Sequence, residues 1–208
     1  MKLLHIDSSI SGEASASRQL SAAIASRLAQ AMPGLEVVRR DLEADEVPHL
    51  SASLLPTIRP DPNHPAPAGT DEAAAVLQEF LDADIVVIGA PMYNFTVSTQ
   101  LKAWIDRILI AGKTFGYTEA GAKGLAGGKR VIIASSRGGL YAPGAPQEAN
   151  DFHETYLRAV FRFIGIETLE IVRAEGLAYG PAQREAALGS ALASIPSVVA
   201  SFAPALAA

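Results

Sequence analysis

The sequence predicts an α/β fold in which a five-stranded parallel sheet carries helices on both faces. Strand-like and helix-like patterns alternate five times along the 208 residues, as they do when helices connect parallel strands. In addition, residues 85–88 and 131–133 are all apolar, which is typical of strands covered on both faces. Five such strands fit the doubly wound order 2-1-3-4-5, with right-handed crossovers.

The chain opens with a strand, a helix and a second strand. Leu3, Leu4 and Ile6 mark the strand over Lys2–Asp7, and Ser17 is the expected N-cap of the helix, since a serine hydroxyl can accept from a first-turn amide. Pro33-Gly34 ends that helix. The second strand is predicted over residues 35–42.

Residues 43–69 hold six of the 13 prolines. A loop of this length is usually functional or mobile. We do not interpret it as a domain linker, because the strand–helix–strand unit before it cannot bury its own faces. We therefore expect one domain over residues 1–208.

The second half of the chain adds three strands and four helices. The strands are predicted over 85–89, 130–135 and 167–173, and the helices over 70–81, 98–111, 150–164 and from Pro181, with an interruption at Pro196. Between them lies a Gly-rich insert, residues 112–128, which contains Phe115 and Tyr117. Trp104 lies on an apolar helical stripe, as a core or dimer-interface residue would.

Composition excludes several classes of protein. Apolar residues make up 49% of the chain, too many for a disordered protein. There is no cysteine, so thiol chemistry and disulfides are excluded, and the net charge of -5 with basic runs no longer than two residues disfavours nucleic acid. No apolar run approaches the roughly 20 residues of a membrane span. We expect a cytoplasmic protein without membrane or nucleic-acid partners.

The four histidines indicate no metal site, because no pair has the spacing of metal ligands. His5 is expected to be a hydrogen-bonded core residue. His49 and His64 are expected at the surface of the Pro-rich loop, and His153 on a solvated helix face.

In doubly wound sheets, ligands bind beyond the carboxyl ends of the strands at the switch point. The loops after strands one, three and four should therefore form the site. The first contains Ser9, Ser11, Ser15 and Ser17 directly before a helix, where free amides and the helix dipole favour an anion such as a phosphate monoester. The alternative is a polar loop with an ordinary cap. The dinucleotide and P-loop glycine motifs are missing.

The other two loops have the chemistry of a flat ligand. Met92, Tyr93, Asn94 and Phe95 follow strand three and could give a heteroaromatic ring an apolar wall with amide groups for its edge; otherwise they are core. In Ser136-Arg137-Gly138-Gly139, the glycines allow close approach of backbone to a ligand or make a tight turn, while Arg137 pairs with a phosphate or is solvated. The combination favours a mononucleotide with a planar ring, and FMN more than ATP.

At these residues the chain resembles the bacterial FMN-dependent NADH azoreductases, which belong to the flavodoxin-like NAD(P)H quinone reductases. The resemblance runs from strand one to the last helix. Its most specific segments are Ala90-Pro91-Met92-Tyr93-Asn94-Phe95, Ser98-Thr99-Gln100-Leu101-Lys102, Ser136-Arg137-Gly138-Gly139 and residues 174–181. It implies a flavodoxin-like fold and a homodimer with one FMN per subunit near the dimer interface.

The resemblance also assigns residues to parts of the cofactor. The phosphate and ribityl end would be held by Ser9, Ser15, Ala16 and Ser17. The isoalloxazine would be lined by Met92, Tyr93, Asn94 and Phe95, and closed on its other side by Ser136, Arg137, Gly138 and Gly139. Phe115 and Tyr117 are the candidates for the aromatic residues with which a partner subunit covers the flavin.

The implied activity is an oxidoreductase reaction without a catalytic side chain, because flavin N5 carries the hydride. NADH or NADPH would reduce the flavin and leave before the acceptor binds, in a ping-pong order. A quinone would take two electrons, and an azo compound would need two cycles to give amines. The alternatives are a flavodoxin-type electron carrier and a flavin-sensing regulatory protein. The physiological acceptor stays open.

Overall fold

The computed structural model describes residues 1–54, 56 and 71–202. In chain order, its strands are β1 (Lys2–Asp7), β2 (Glu36–Asp41), β3 (Ile85–Pro91), β4 (Phe115–Thr118), β5 (Gly121–Gly124), β6 (Arg130–Ser136) and β7 (Leu169–Ala174). Its α-helices are α1 (Ala16–Ala31), α2 (Asp71–Asp82), α3 (Thr99–Ile108), α4 (Glu154–Phe163) and α5 (Pro181–Ala200). Short 3₁₀ turns cover residues 12–14, 52–54 and 148–150.

The main sheet has the predicted topology. Its strands run in the order β2-β1-β3-β6-β7, and every neighbouring pair is parallel. This order corresponds to 2-1-3-4-5 once the hairpin β4–β5, which forms a separate two-stranded sheet, is set aside. The predicted doubly wound sheet is confirmed.

Alternation along the central strands divides the core into two layers. Leu4, Ile6, Val86 and Ile88 point into the layer covered by α2, α3 and α4. Their sequence neighbours Leu3, Ile85 and Val87 point into the layer covered by α1 and α5, as the two-residue period of a strand requires. Trp104 is a core residue, fully buried in the first layer and edge-to-face with Phe80 at 5.8 Å between ring centroids.

Several predicted boundaries were wrong by a few residues. The N-cap of α1 is Ser15, not Ser17. Helix α4 begins at Glu154 instead of 150, because Asp151 accepts from the amides of His153 and Glu154 and so ends the preceding turn. Helix α5 is not interrupted at Pro196: Ile195 and Val199 remain packed in the core on both sides of it, and burial offsets the one lost hydrogen bond.

The Pro-rich loop is partly fixed to the core where the structure describes it. Val47 is buried against the layer of α3, and Arg107 of α3 donates to the carbonyl of Pro48 at 2.6 Å. His49 is exposed, as predicted. His64 and the predicted helix start at Thr70 lie outside the described residues. Among the helices in the described ranges, none is both long and apolar enough for a membrane span.

The hairpin β4–β5 was not predicted. It pairs Phe115 with Gly124 and Tyr117 with Ala122. Its glycines interrupt the alternation of apolar and polar residues by which strands are recognised in a sequence. Gly124 lies against the backbone after α4, where an added Cβ would be 2.1 Å from the amide nitrogen of Gly165. The hairpin therefore packs on the body of the protein by direct contact between two backbones.

We expect Gly124→Ala to lower the free energy of unfolding by about 1–3 kcal/mol, because the methyl group must push two backbones apart. Urea denaturation measures the loss. The matched control is Gly116→Ala in the same hairpin, where the nearest atom to the new Cβ, Leu125 Cδ1, is 3.7 Å away. Equal effects of the two substitutions would contradict the proposed packing.

Candidate functional site

The carboxyl ends of three neighbouring strands meet at one edge of the sheet. Asp7 at the end of β1 is paired with Gly89, while Pro91 at the end of β3 is paired with Ser136 at the end of β6. Two contacts join the loops that follow. The hydroxyl groups of Ser9 and Tyr93 are 3.0 Å apart, and the amide of Met92 donates to the carbonyl of Ser136 at 2.8 Å. The structure thus brings the three predicted loops together.

The serine loop forms an anion cradle, defined here by Ser15, Ala16 and Ser17. The Ser15 hydroxyl accepts from the amide of Arg18 at 3.3 Å and lies 3.0 Å from the Ser17 hydroxyl. Both serines are buried. Among the described residues, the amides of Ala16 and Ser17 have no acceptor, and the first turn of α1 has no acidic residue. Free amides at a helix N-terminus are suited to an anion.

Arg18 directly follows the cradle, and the sequence analysis missed it. Its Nε and Nη2 donate to the carbonyl of Ser9 at 3.0 and 2.7 Å, and its Nη1 and Nη2 donate to the carboxylate of Asp41 at 2.5 and 2.6 Å. Hydrogen bonding with Asp41 raises the pKa of Arg18, and Arg18 in turn lowers the pKa of Asp41. A cation is disfavoured in the first turn of a helix, so its presence there was a signal that it has a specific partner.

The loop after β3 makes a tight turn at an unusual backbone conformation. Tyr93 and Thr96 exchange both backbone hydrogen bonds, at 2.9 and 3.1 Å. Between them, Asn94 and Phe95 have φ of 48° and 74°, and in the described part of the chain they are the two non-glycine residues with positive φ. Two positive φ values are the mark of a type I′ turn. Both side chains are exposed, while Met92 and Tyr93 are half-buried.

The loop after β6 differs from what its sequence suggested. Arg137 is fully buried, so the alternative of a solvated side chain was wrong. Its guanidinium is in ion-pair contact with Glu154 and is 3.1 Å from Asp151, and it is therefore held inside the protein. Gly138 and Gly139 do not adopt positive φ, although the backbone bends at both residues. A Cβ on Gly139 would be 3.0 Å from the Tyr141 ring.

Behind this loop lies a buried charge network that also includes Arg173, which donates to both carboxylate oxygens of Glu154 at 2.9 and 2.6 Å. Burial alone would raise the pKa of Glu154, but Arg173 and Arg137 hold it at about 2. His153 is fully buried, so the predicted solvated position was wrong. Its burial, with the nearby Arg137, lowers the pKa of His153 to about 4.

His5 is buried, as predicted, and it lies beside the buried Asp7 carboxylate. Its Nε2 lies 3.6 Å from Asp7 Oδ1, and this atom has no partner within hydrogen-bond distance among the described residues. Within those residues, no group of three or more histidine or acidic side chains could hold a metal ion.

Phe115 and Tyr117 are not at this edge. The hairpin that carries them follows the C-terminal end of α3 and precedes β6. It packs on the residues after α4. The end of α3, the start of β6 and the residues after α4 all lie at the amino edge of the sheet. Phe115 lies between Tyr117, which it meets edge-to-face, and Phe163, to which its ring is tilted by 52°. Tyr117 is 78% exposed. Within one chain, the topology therefore places these aromatic rings at the opposite edge from the loops after β1, β3 and β6.

The sheet order, the anion cradle and the loops at the switch point define a doubly wound protein of the flavodoxin-like class. A family profile for the flavodoxin-like fold matches residues 1–198. FMN-dependent NADH:quinone oxidoreductases of Methylocella silvestris and Stenotrophomonas maltophilia are 58% and 57% identical to the chain, over 92% and 95% of it and 95% of each relative. The chain therefore belongs to the family of FMN-dependent NADH:quinone oxidoreductases.

Solved structures agree with this membership. A Bacillus anthracis FMN-dependent NADH-azoreductase, solved in complex with FMN, is 27% identical, with a TM-score of 0.86 over 97% of this chain and 99% of its own. A second azoreductase structure from Bacillus anthracis gives a TM-score of 0.86 at 28% identity, over 96% and 98% of the two chains.

We expect stability to fall as the pH is lowered from about 6.5 to 4.5, by roughly 2–3 kcal/mol from His153 alone. The unfolded chain takes up a proton near pH 6.5, whereas folded His153 does so only near pH 4. Glu154, with a folded pKa of about 2 against 4.5, adds its loss mainly below pH 4.5. Urea denaturation at several pH values should therefore show a flatter profile for His153→Asn.

The control for this pH series is His49→Asn, which removes an exposed histidine and should keep the wild-type slope. An unchanged slope in the His153 variant would show that His153 does not resist protonation in the folded state.

We expect Phe95→Gly to keep or raise the free energy of unfolding of the apoprotein, by up to about 1 kcal/mol, because glycine adopts positive φ without strain. The ring is 47% exposed, so little burial is lost. Phe152→Gly is the control, because Phe152 is 59% exposed and its φ is not positive; there the flexibility of glycine should destabilise. A larger loss at Phe95 than at Phe152 would mean that the turn is not strained.

Proposed function

We propose that this chain binds FMN at the carboxyl edge of its sheet and is an FMN-dependent NAD(P)H oxidoreductase that reduces quinones and cleaves azo compounds to amines. The observation that carries the proposal is the meeting of an anion cradle and the Met92–Phe95 turn, joined by the contact between Ser9 and Tyr93. Family membership supports the activity, and the Bacillus anthracis structure with FMN supports the cofactor.

The residues present fit FMN. The two hydroxyls and two free amides of the cradle match a phosphate monoester, which accepts several hydrogen bonds. Along the same edge, Met92 and Tyr93 offer apolar surface, and the exposed Asn94 amide offers both a donor and an acceptor to the polar rim of a ring. We assign Ser9, Ser15, Ala16 and Ser17 to the phosphate and ribityl end. The ring is assigned to residues 92–95 and 136–139.

The chain's own contribution to the reaction is binding and orientation. When bound, FMN supplies the two-electron chemistry between NADH or NADPH and the acceptor. The cradle holds the charged end, and the Met92–Phe95 turn fixes the position of the ring. The buried carboxylates behind Arg137 are ion-paired, which leaves them unsuited to donate protons. A nicotinamide and an acceptor that share one place require a ping-pong order.

We also propose that two copies of the chain form a homodimer. Phe115 and Tyr117 lie at the amino edge of the sheet, so within one chain they cannot cover a flavin bound at the carboxyl edge. The exposed Tyr117 and the adjacent Phe163 are available to a second copy. We place the protein in the cytoplasm, where reduced nicotinamide nucleotides are found, and no partner other than small aromatic acceptors and the second copy is required.

The test is the visible spectrum of purified protein that has been supplemented with FMN and then desalted. We expect retained flavin bands, bleaching on anaerobic addition of NADH, and their return when a soluble quinone is added. Retained bands that NADH does not bleach would instead indicate an electron carrier or a flavin sensor. Loss of the flavin on desalting would contradict the proposed site.

A further inference from the structure

We propose that Arg18 is a positioning residue for the phosphate end of the site: its side chain ties the Ser9 loop to the end of β2 and so holds Ser9 in binding geometry beside the anion cradle. The inference rests on the proposed FMN function, since it concerns how the chain holds the phosphate end of that cofactor. It adds a pair of residues, Arg18 and Asp41, to a site so far described by the serine loop alone.

The geometry of Arg18 is that of a clamp. Its planar guanidinium makes four hydrogen bonds, two to the Ser9 carbonyl and two to the Asp41 carboxylate, and its side chain is only 12% exposed. A bidentate pair with a carboxylate fixes orientation as well as distance. Through this one side chain, the loop after β1 is fastened to the last residue of β2.

Arg18 contacts two of the three serines of the site: Ser9 through its guanidinium and Ser15 through its backbone amide. With its carbonyl held by Arg18, Ser9 directs its hydroxyl to the Tyr93 hydroxyl, 3.0 Å away. The backbone amide of Arg18 donates to the Ser15 hydroxyl, which lies next to Ser17. Arg18 therefore contacts the elements assigned to the phosphate, and through Ser9 it reaches the turn assigned to the ring.

The effect of Arg18 is positional and does not come from direct attraction of the phosphate. Its charge is compensated by the bidentate Asp41, and the buried Asp7 carboxylate lies 3.9 Å from Nη1. Asp7 is also paired with Arg39, at 3.1 Å, so two carboxylates balance two guanidinium groups here and leave little net positive charge for a ligand. A lysine at this position would keep the charge but could not bridge the carbonyl and the carboxylate with a fixed fork.

The experiment compares the affinities of apoprotein variants for FMN and for riboflavin, measured by quenching of flavin fluorescence. Riboflavin has the same ring and ribityl chain but no phosphate. For Arg18→Lys, Arg18→Gln and Asp41→Asn, we expect FMN binding to weaken by about tenfold or more. Riboflavin binding should weaken by no more than about twofold, because Arg18 acts directly on the phosphate end and reaches the ring only indirectly, through the contact between Ser9 and Tyr93.

A matched control is provided by Arg40, the neighbour of Asp41 on β2. Arg40 and Glu79 form the same kind of two-bond fork between β2 and α2, at 2.7 and 2.8 Å, but they do not contact the serine loop. Arg40→Lys and Glu79→Gln should leave the ratio of FMN to riboflavin affinity unchanged. Thermal melting of each apoprotein identifies variants that do not fold. If the Arg18 variants do not fold, the inference is tested with Asp41→Asn, which keeps the shape of the side chain.

Three results would overturn the inference. Equal weakening of FMN and riboflavin would show that Arg18 supports the fold in general. Unchanged FMN affinity in Arg18→Lys, or tighter FMN binding by Asp41→Asn, would show that charge acts and position does not. If the wild-type protein binds riboflavin and FMN equally weakly, no phosphate site exists there and the proposed function itself fails. The visible spectrum of the FMN-supplemented, desalted wild-type protein distinguishes this result from a failure of the clamp alone.

Discussion

The pairing of β3 between β1 and β6 determines where every residue of the site can lie. Because Asp7 is opposite Gly89 whereas Pro91 is opposite Ser136, β3 and β6 extend two residues beyond the end of β1. Two residues of strand correspond to about 7 Å. The serine loop therefore starts in a recess, with the turn of β3 standing above it, and a hydroxyl from each can meet at the boundary.

Two buried charge networks stand behind the loops of this edge. One joins Arg18 to Asp41 and Asp7, and the other joins Arg137 to Asp151 and Glu154. Buried ion pairs add little net stability, because desolvation offsets their attraction, but breaking one partner is costly. What such networks contribute here is fixed geometry: Arg18 holds the backbone of the loop after β1 at the Ser9 carbonyl, and the ion-paired side chain of Arg137 anchors the loop after β6.

The sequence was sufficient for the sheet and for the meeting of the loops after β1, β3 and β6 at one edge, because continuous apolar runs and the switch-point rule depend only on local pattern and topology. It failed where the outcome depends on a distant partner. Nothing near Arg137 or His153 signals that they are buried together, and Asp41 is far from Arg18 along the chain. Ser15 and Ser17 are both competent caps, so spacing alone could not choose between them. The hairpin was missed because packing against Gly165, not side-chain alternation, defines it. The assignment of individual residues to FMN is still a prediction.

The location of the hairpin at the amino edge has a genetic consequence. In the proposed homodimer, each active site would combine the cradle of one chain with the aromatic hairpin of the other. A chain defective in its cradle and a chain defective in its hairpin would each be inactive as a pure dimer. Mixed together, they would form heterodimers in which both defects fall in the same site and the other site is intact. Two dead alleles could then complement each other and restore up to half of the activity per dimer.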